Sequence, residues 1–448
     1  MEFVLSELTK YFALLFGALY AFSGCVSFTI RSEKIKNWCY GTQKLLLFLV
    51  QFLCYCNMGF QTKNVKFVLL YGAVQVLLFT ILSVTPLVYE KVNRQLLNNM
   101  CFLLGIGFII ISRLSFAKAI RQLLIAGVGF LISLFIPVII AKWKWLSNCW
   151  LIYGSLGIGA LLTVFILGEV TYGSKISFSI WGITFQPSEF VKILFVFCIA
   201  SLLFTKTNAF RIVLSAAIGG AYVLVLAASK DLGAALIMAA AYIIMLFLAA
   251  NSYILLLAGM IAATAGSIGA YYLFPHIQYR VVAWQDPLAY IEGSGYQIAQ
   301  SAFAIASGGL FGTGLFKGNP KAIPYVEDDM IFSAICEEMG ILFGIVVIVV
   351  CYLSFFTIIQ IGIRTRNQFH KLVCAGLATA YAVQTFLTIG GGIKFIPLTG
   401  VTLPLVSYGG SSVMATIMVF FIVQGIHIGH IVDTRVTDEG QEDGEEQE

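Results

Sequence analysis

Apolar stretches close to the roughly 20 residues a bilayer-crossing helix needs recur along the chain. They lie at 11–30, 44–60, 67–88, 98–113, 122–141, 148–168, 188–205, 210–228, 232–250, 253–274, 334–360, 372–390 and 402–430. The length rule thus predicts about thirteen spans. Two connections interrupt the series. The 171–187 segment is polar enough to leave the bilayer, and 275–330 is far longer than the about 4–6 residues of an ordinary connection. The longer one mixes Gly, Ser, Pro, aromatics and acids, which argues against disorder and for a partly re-entrant loop. Residues 433–448 are strongly acidic and read as a disordered tail.

Composition sharpens this reading. Hydrophobic residues make up 59% of the 448 and charged residues 11%, against about 25% charged in soluble domains. The expected architecture is therefore an all-α polytopic membrane protein. The net charge of +5 is not a nucleic-acid footprint, because the cations sit in short segments between apolar runs. With the acidic tail inside, the basic segments 31–44, 91–94, 142–144, 206–211 and 364–371 fall inside and the long loop outside, as the positive-inside rule asks. An odd number of spans then leaves the N-terminus outside. Arg113, Lys118 and Arg121 fall outside against that trend, which suits a meeting with an anionic ligand. Most of the ten cysteines lie inside apolar runs and read as small hydrophobes. The first apolar stretch lacks a basic start and a small-residue cleavage site, so it is expected to remain as a helix.

Charges at membrane depth cost about 2.5–3.5 kcal/mol on insertion scales, so each needs a reason. Glu189 and Lys192, three apart at the start of a span, share one helix face and can pair, either structurally or lining a polar cavity. Lys230 and Asp231 sit between two apolar runs. Glu327, Asp328 and Asp329 stand side by side, with Glu337 and Glu338 following. Adjacent carboxylates repel, which raises at least one pKa. Such a group could serve as a general base, a divalent-cation ligand or a proton relay, and spacing alone leaves these open. The glycines at 308–314 do not follow a strand, so a tight turn is favoured over a dinucleotide site. His427 and His430 lack a neighbouring carboxylate and read as packing rather than metal ligation.

Four segments, in order, resemble signatures of the SEDS (shape, elongation, division, sporulation) family of peptidoglycan glycosyltransferases, the group containing RodA, FtsW and SpoVE. The first runs from Trp181 through Phe185, Gln186, Pro187, Ser188 and Glu189 to Lys192. The second is Lys230, Asp231, Leu232 and Gly233. The third is the long loop, from Arg280 through Gln297, Gly308 and Gly312 to Asp329, Met330, Ile331 and Phe332. The fourth joins Ile396–Gly400 residues to Leu403, Pro404, Ser407, Tyr408, Gly409, Gly410, Ser411 and Ser412. The resemblance divides the chain into extra N-terminal spans at 1–97, a core of about ten spans at 98–432 and the tail at 433–448.

The family resemblance implies polymerisation of lipid II onto a nascent glycan strand in the plasma membrane of a bacterium, with the site facing outside. Asp329 corresponds to the family's proposed catalytic aspartate, with Asp328 as a rival. Gln186, Ser188, Glu189, Lys192, Asp231, Ser407 and Ser411 correspond to the cavity. Lys192, Arg113 and Arg121 are candidates to face pyrophosphate. No cofactor is required, although a divalent cation, magnesium or manganese, suits Asp328 and Asp329. The implied partner is a class B penicillin-binding protein, a transpeptidase, and no nucleic acid is expected. The alternatives are a lipid II flippase or other transporter, and a non-catalytic scaffold.

Overall fold

The computed structural model describes residues 2–171, 174–180, 183–205 and 208–445. Trp181 and Gly182 of the first signature, residues 206–207 of a basic segment and residues 446–448 of the tail lie outside them. In chain order the helices are α1 (Glu2–Thr29), α2 (Glu33–Thr62), α3 (Val65–Val88), α4 (Arg94–Leu114), α5 (Phe116–Ser133), α6 (Ile136–Lys142), α7 (Trp150–Leu167), α8 (Pro187–Leu203), α9 (Ala209–Ala228), α10 (Leu232–Ala250), α11 (Tyr253–Leu273), α12 (Pro275–Gln285), α13 (Tyr296–Gly308), α14 (Ile331–Met339), α15 (Ile341–Arg364), α16 (Gln368–Gly392) and α17 (Gly410–Glu445). Among the described residues, 12 helical stretches are long and apolar enough to cross a membrane, with α5 and α6 counted as one. The 17-residue α8 is shorter, yet it is buried over most of its length against α7, α10, α16 and α17. The expected all-α membrane architecture is what the structure has.

Lipid offers no hydrogen bonds, so backbone groups must be satisfied within each helix, and breaks need a local cause. The α5–α6 break falls beside Pro137, whose ring removes one N–H and crowds the preceding turn; the Tyr89 hydroxyl donates to the Leu134 carbonyl at the break. A three-stranded antiparallel ribbon in the 171–187 connection was not foreseen from the sequence: β1 (Glu169–Thr171), β2 (Ser174–Ile180) and β3 (Ile183–Phe185). It delivers Gln186 to the start of α8.

Three sequence expectations need correction. The 334–360 span is two helices, because Gly340 at φ +91° ends α14 and α15 starts after it. The last span begins at Gly410 rather than 402, since residues 402–409 are loop. The tail over 433–445 is helical, continuing α17; a helix already nucleated extends at little cost, and Glu and Gln are good helix formers.

α4 is the axis of the bundle and is buried throughout its membrane window. It packs on α2, α3, α5 and α15, while α1 lies along α2 and α15. Tyr20 of α1 stacks on Phe102 of α4 with ring centroids 4.1 Å apart. The three N-terminal spans thus share the core of the remainder. Lys317 and Glu7 pair at 2.9 Å, and the Lys10 ammonium donates to the Gly312 carbonyl at 3.1 Å. The start of α1 and the long loop therefore occupy the same end of the bundle.

The long loop is largely structured. Its glycine segment threads past the α14–α15 junction: Thr313 and Gly314 donate to the carbonyls of Glu337 and Glu338, and Ile341 donates to Gly309. The two backbone segments approach so closely that a Cβ at Gly340 would stand 2.4 Å from the Leu310 carbonyl oxygen. The sequence expectation of a tight turn here holds, and its function is to lock the loop onto α14. Gly340→Ala combines a left-handed backbone with that overlap and is expected to destabilise the protein by about 1–3 kcal/mol. A thermal melt of detergent-purified protein that shows no loss would refute the lock.

Candidate active site

A polar cavity of about 440 Å³ lies at the same end as the long loop. Three regions converge on it: the starts of α8 and α10, the long loop with α12 and α13, and the 398–402 segment after α16. Each acid in it is held differently. The Pro187 at the first turn of α8 sets the helix start, placing Glu189 and Lys192 on one face. They pair at 2.9 Å, and the Lys192 ammonium also donates to Gln384 Oε1 at 2.6 Å. Gln384 in turn donates to the Thr402 carbonyl at 3.0 Å, so the pair is tied to the 398–402 wall.

Asp231 caps α10: its Oδ1 accepts from the Ala234 N–H at 3.1 Å. Its Oδ2 accepts from the Ser188 hydroxyl at 3.1 Å and from Gln186 Nε2 at 3.3 Å. The first two signatures, whose bonded residues are 43 and 45 positions apart, are thereby joined through one carboxylate. Burial raises the Asp231 pKa, opposed by the Ala234 and Ser188 donors.

Asp329 lies across the cavity and is only 9% exposed. Gln297 Nε2 donates to its Oδ1 at 3.1 Å. Burial, reinforced by the neighbouring Asp328 carboxylate, pushes its pKa up to about 7, against the pull of its own backbone N–H, Arg280 and Gln297. Near neutral pH this carboxyl exists in both protonation states, as a proton-transferring group requires. Asp328 also lines the cavity. Lys230 and Arg280 bring positive charge to it, and Arg280 is anchored by donating to the Thr399 carbonyl at 3.0 Å. Among the described residues no cluster of three or more His, Cys, Asp or Glu side chains converges as a metal centre.

Not every sequence candidate comes to this cavity. Arg113 is turned away: it pairs with Glu338 at 2.9 Å, donates to the Gly318 carbonyl at 3.3 Å and covers the Phe316 ring at 4.3 Å. Glu338 and Glu337 also accept from the N–H groups of Phe316 and Asn319. These acids clamp the long loop rather than line the cavity. Arg121 is exposed on α5, outside the lining. The Ser407 hydroxyl accepts from the Leu403 N–H at 2.8 Å and holds a turn. Ser411 accepts from the Gln186 N–H at 2.8 Å and faces a separate apolar groove of about 310 Å³ between α5, α8 and α17. Conversely, Arg280 and Gln297 stand in the cavity without having been given a role there, beside Lys230, which the sequence marked only as a charge next to Asp231. Their placement depends on loop folding that no local spacing reveals.

The family model for the FtsW, RodA and SpoVE group, described as cell cycle protein, matches residues 94–430. The chain belongs to this family. Curated relatives of the SEDS group include the peptidoglycan glycosyltransferase RodA of Mycobacterium leprae, 34% identical over 74% of this chain and 77% of that one. The RodA of Mycobacterium tuberculosis is 36% identical over 57% of this chain, and the match spans 58% of that relative's length. Stage V sporulation protein E of Bacillus subtilis is 32% identical, covering 68% of this chain and 85% of its own. The fold is shared with solved SEDS structures. Thermus thermophilus RodA superposes with a TM-score of 0.59 at 21% identity, over 76% of this chain and 97% of that one. A chain from a peptidoglycan synthase complex that coordinates polymerization and crosslinking gives 0.66 at 22% identity, over 76% and 99%. The family match starts at the first residue of α4, so α1–α3 lie outside it.

The geometry assigns Arg113 to structure. Arg113→Ala would leave Glu338, whose side chain is 1% exposed, buried without its cation, at a cost of about 3–5 kcal/mol. A melting transition unchanged in that variant would contradict this. Joint replacement by Arg113→Met and Glu338→Leu should recover most of the loss, since an apolar pair removes the stranded charge.

Proposed function

We propose that this chain is a peptidoglycan glycosyltransferase that polymerises lipid II into glycan strands. The observation that carries the reading is Asp329, a buried carboxyl with a pKa near 7, facing a cation-bearing cavity in a chain of the SEDS family. Asp329 takes the proton from the GlcNAc 4-hydroxyl of one lipid II as that oxygen attacks MurNAc C1 of the lipid-linked strand. The C1–oxygen bond to undecaprenyl pyrophosphate breaks, and the β-1,4 link forms with inversion. Pyrophosphate leaves as an anion and needs positive charge rather than a proton donor; Arg280, Lys230 and Lys192 supply it from the cavity wall. Gln297 orients the Asp329 carboxyl. The groove lined by Leu124, Val128, Phe190 and Met414 is apolar enough for a prenyl chain.

No cofactor is needed for these steps. A divalent cation, magnesium or manganese, suits the donor set, because Asp328 and Asp329 provide two carboxylates and substrate phosphate oxygens complete a typical Mg²⁺ shell. When bound it would neutralise pyrophosphate charge. The membrane is the plasma membrane of a bacterium. The basic segments 31–44, 91–94 and 364–371 lie at the end opposite the cavity, so the positive-inside rule turns the cavity outward. A class B penicillin-binding protein is the proposed crosslinking partner, in keeping with the polymerization and crosslinking complex that contains the structural neighbour.

Purified protein incubated with lipid II, alone and with a transpeptidase, should form glycan polymer resolvable on a gel. Asp329→Asn is expected to lower the rate by at least about 100-fold, the low end for a general base, while Asp328→Ala, which removes a neighbouring charge rather than the base, lowers it less. Transport of lipid II across vesicles without polymer would instead favour a flippase, and activity in neither assay a scaffold. The rate should rise with pH through about 7, as the base must be deprotonated. Stability should move the opposite way. An acid whose folded pKa is raised binds more protons folded than unfolded between about 4 and 7, so stability falls as pH rises across that window. Asp329→Asn should flatten that decline in a pH series of thermal melts.

A further inference from the structure

A second polar hollow, also about 440 Å³, lies at the end of the bundle opposite the cavity. Four helix ends enclose it: the last turn of α1, the first turns of α2 and α4, and the last turns of α15. More than half of its wall therefore comes from the N-terminal segment that the family match excludes. The floor is polar: Ser27 and Gln95 are buried, and the Ser27 hydroxyl lies 2.7 Å from Gln95 Oε1. Arg31, Lys36 and Arg364 rim it. The acid near them, Glu33, sits 2.7 Å from the Lys36 ammonium. Among the described residues neither guanidinium has a carboxylate partner, and the half-buried Gln360 amide has no hydrogen-bond partner.

The helix ends themselves do not set a sign, because two amino-terminal ends face two carboxy-terminal ones. The two guanidiniums do. Their planar forks match the oxygens of a phosphate or phosphodiester. The volume is many times the about 30 Å³ share of a water molecule, so it admits a headgroup rather than a lone ion. Trp38 of α2, 69% exposed, lies in the same turns of the helix as Lys36 and Tyr40, and an exposed Trp at a helix end is the kind of residue that marks the headgroup level of a bilayer.

We propose that this pocket between the N-terminal spans and the core is a binding site for a phosphate-bearing anion, held by Arg31 and Arg364 over a Ser27–Gln95 floor. The ligand bridges α1–α2 to α4 and α15 and so couples the added spans to the core from the side away from the cavity. The shared chemistry is a phosphate group, which an anionic lipid headgroup or a soluble phosphate can present.

The test uses the full chain purified in detergent and native mass spectrometry. It is titrated with phosphatidylglycerol, with phosphatidylcholine and, in a separate arm, with inorganic phosphate. Arg31→Gln with Arg364→Gln is compared with Lys371→Gln, which removes a basic residue from outside the pocket. Preferential binding of phosphatidylglycerol that falls about tenfold or more in the double variant, and not in Lys371→Gln, is expected. Each basic residue near an anionic surface is worth roughly fivefold. Phosphate binding lost in the double variant without a lipid preference would support the site with a soluble ligand. Equal binding in wild type and double variant, or no binding of either phosphate source above the phosphatidylcholine control, would overturn it. The variants should keep the wild-type melting transition, since both arginines are exposed; Arg364→Gln alone provides the reading if the double variant does not.

Discussion

Burying a carboxylate among membrane helices is costly unless something compensates its charge, and the arrangement of this protein follows from how each acid meets that demand. Glu338 has Arg113, Glu189 has Lys192, and Asp231 has a helix start and two side-chain donors. Asp329 has one amide donor, a like-charged neighbour and almost no solvent. Burial lifts Glu338 to about 7 as well, even against the pull of Arg113, so what sets Asp329 apart is that its carboxyl faces the cavity.

The framework serves the loop. Irregular backbone at membrane depth is tolerated only where protein satisfies it, and here Glu337 and Glu338 accept from the loop's N–H groups through their side chains and backbone carbonyls alike. Arg113 neutralises Glu338 from α4, the most buried helix of the bundle. The loop that carries Asp329 is thus fastened to the central helix by one ion pair. Lys118 and Glu327 add a second tie from α5, two residues from Asp329, and the Tyr408 N–H donates to the Glu327 carbonyl at 2.8 Å. Of the fourth signature, residues 398–400 line the cavity, while Ser407 and Ser411, expected there too, hold neighbouring backbone instead.

The N-terminal spans extend the same core rather than forming a separate body. Their packing on α4 and α15 places them against the two helices that bracket the loop clamp, and their ends shape both faces of the bundle. One end meets the loop through Glu7 and Lys10; the other closes the basic hollow.

Much was legible from the chain alone. Runs of apolar residues dictated a helical membrane bundle because lipid permits little else, and the length of each run set nearly every span. The signatures around Glu189, Lys192, Asp231 and Asp329 marked four residues that do share one cavity, and adjacent acids announced a raised pKa. Spacing could not say which acids would be neutralised, because the cations that meet them come from distant segments: Arg113 reaches Glu338 across 225 positions. Nor could it show that Gly340 would break a long apolar run, that a ribbon would form before α8, or that Arg280 and Gln297 would face Asp329. Those outcomes depend on close approach between backbones and on which charge is left inside without a partner, and only the folded bundle brings those groups together.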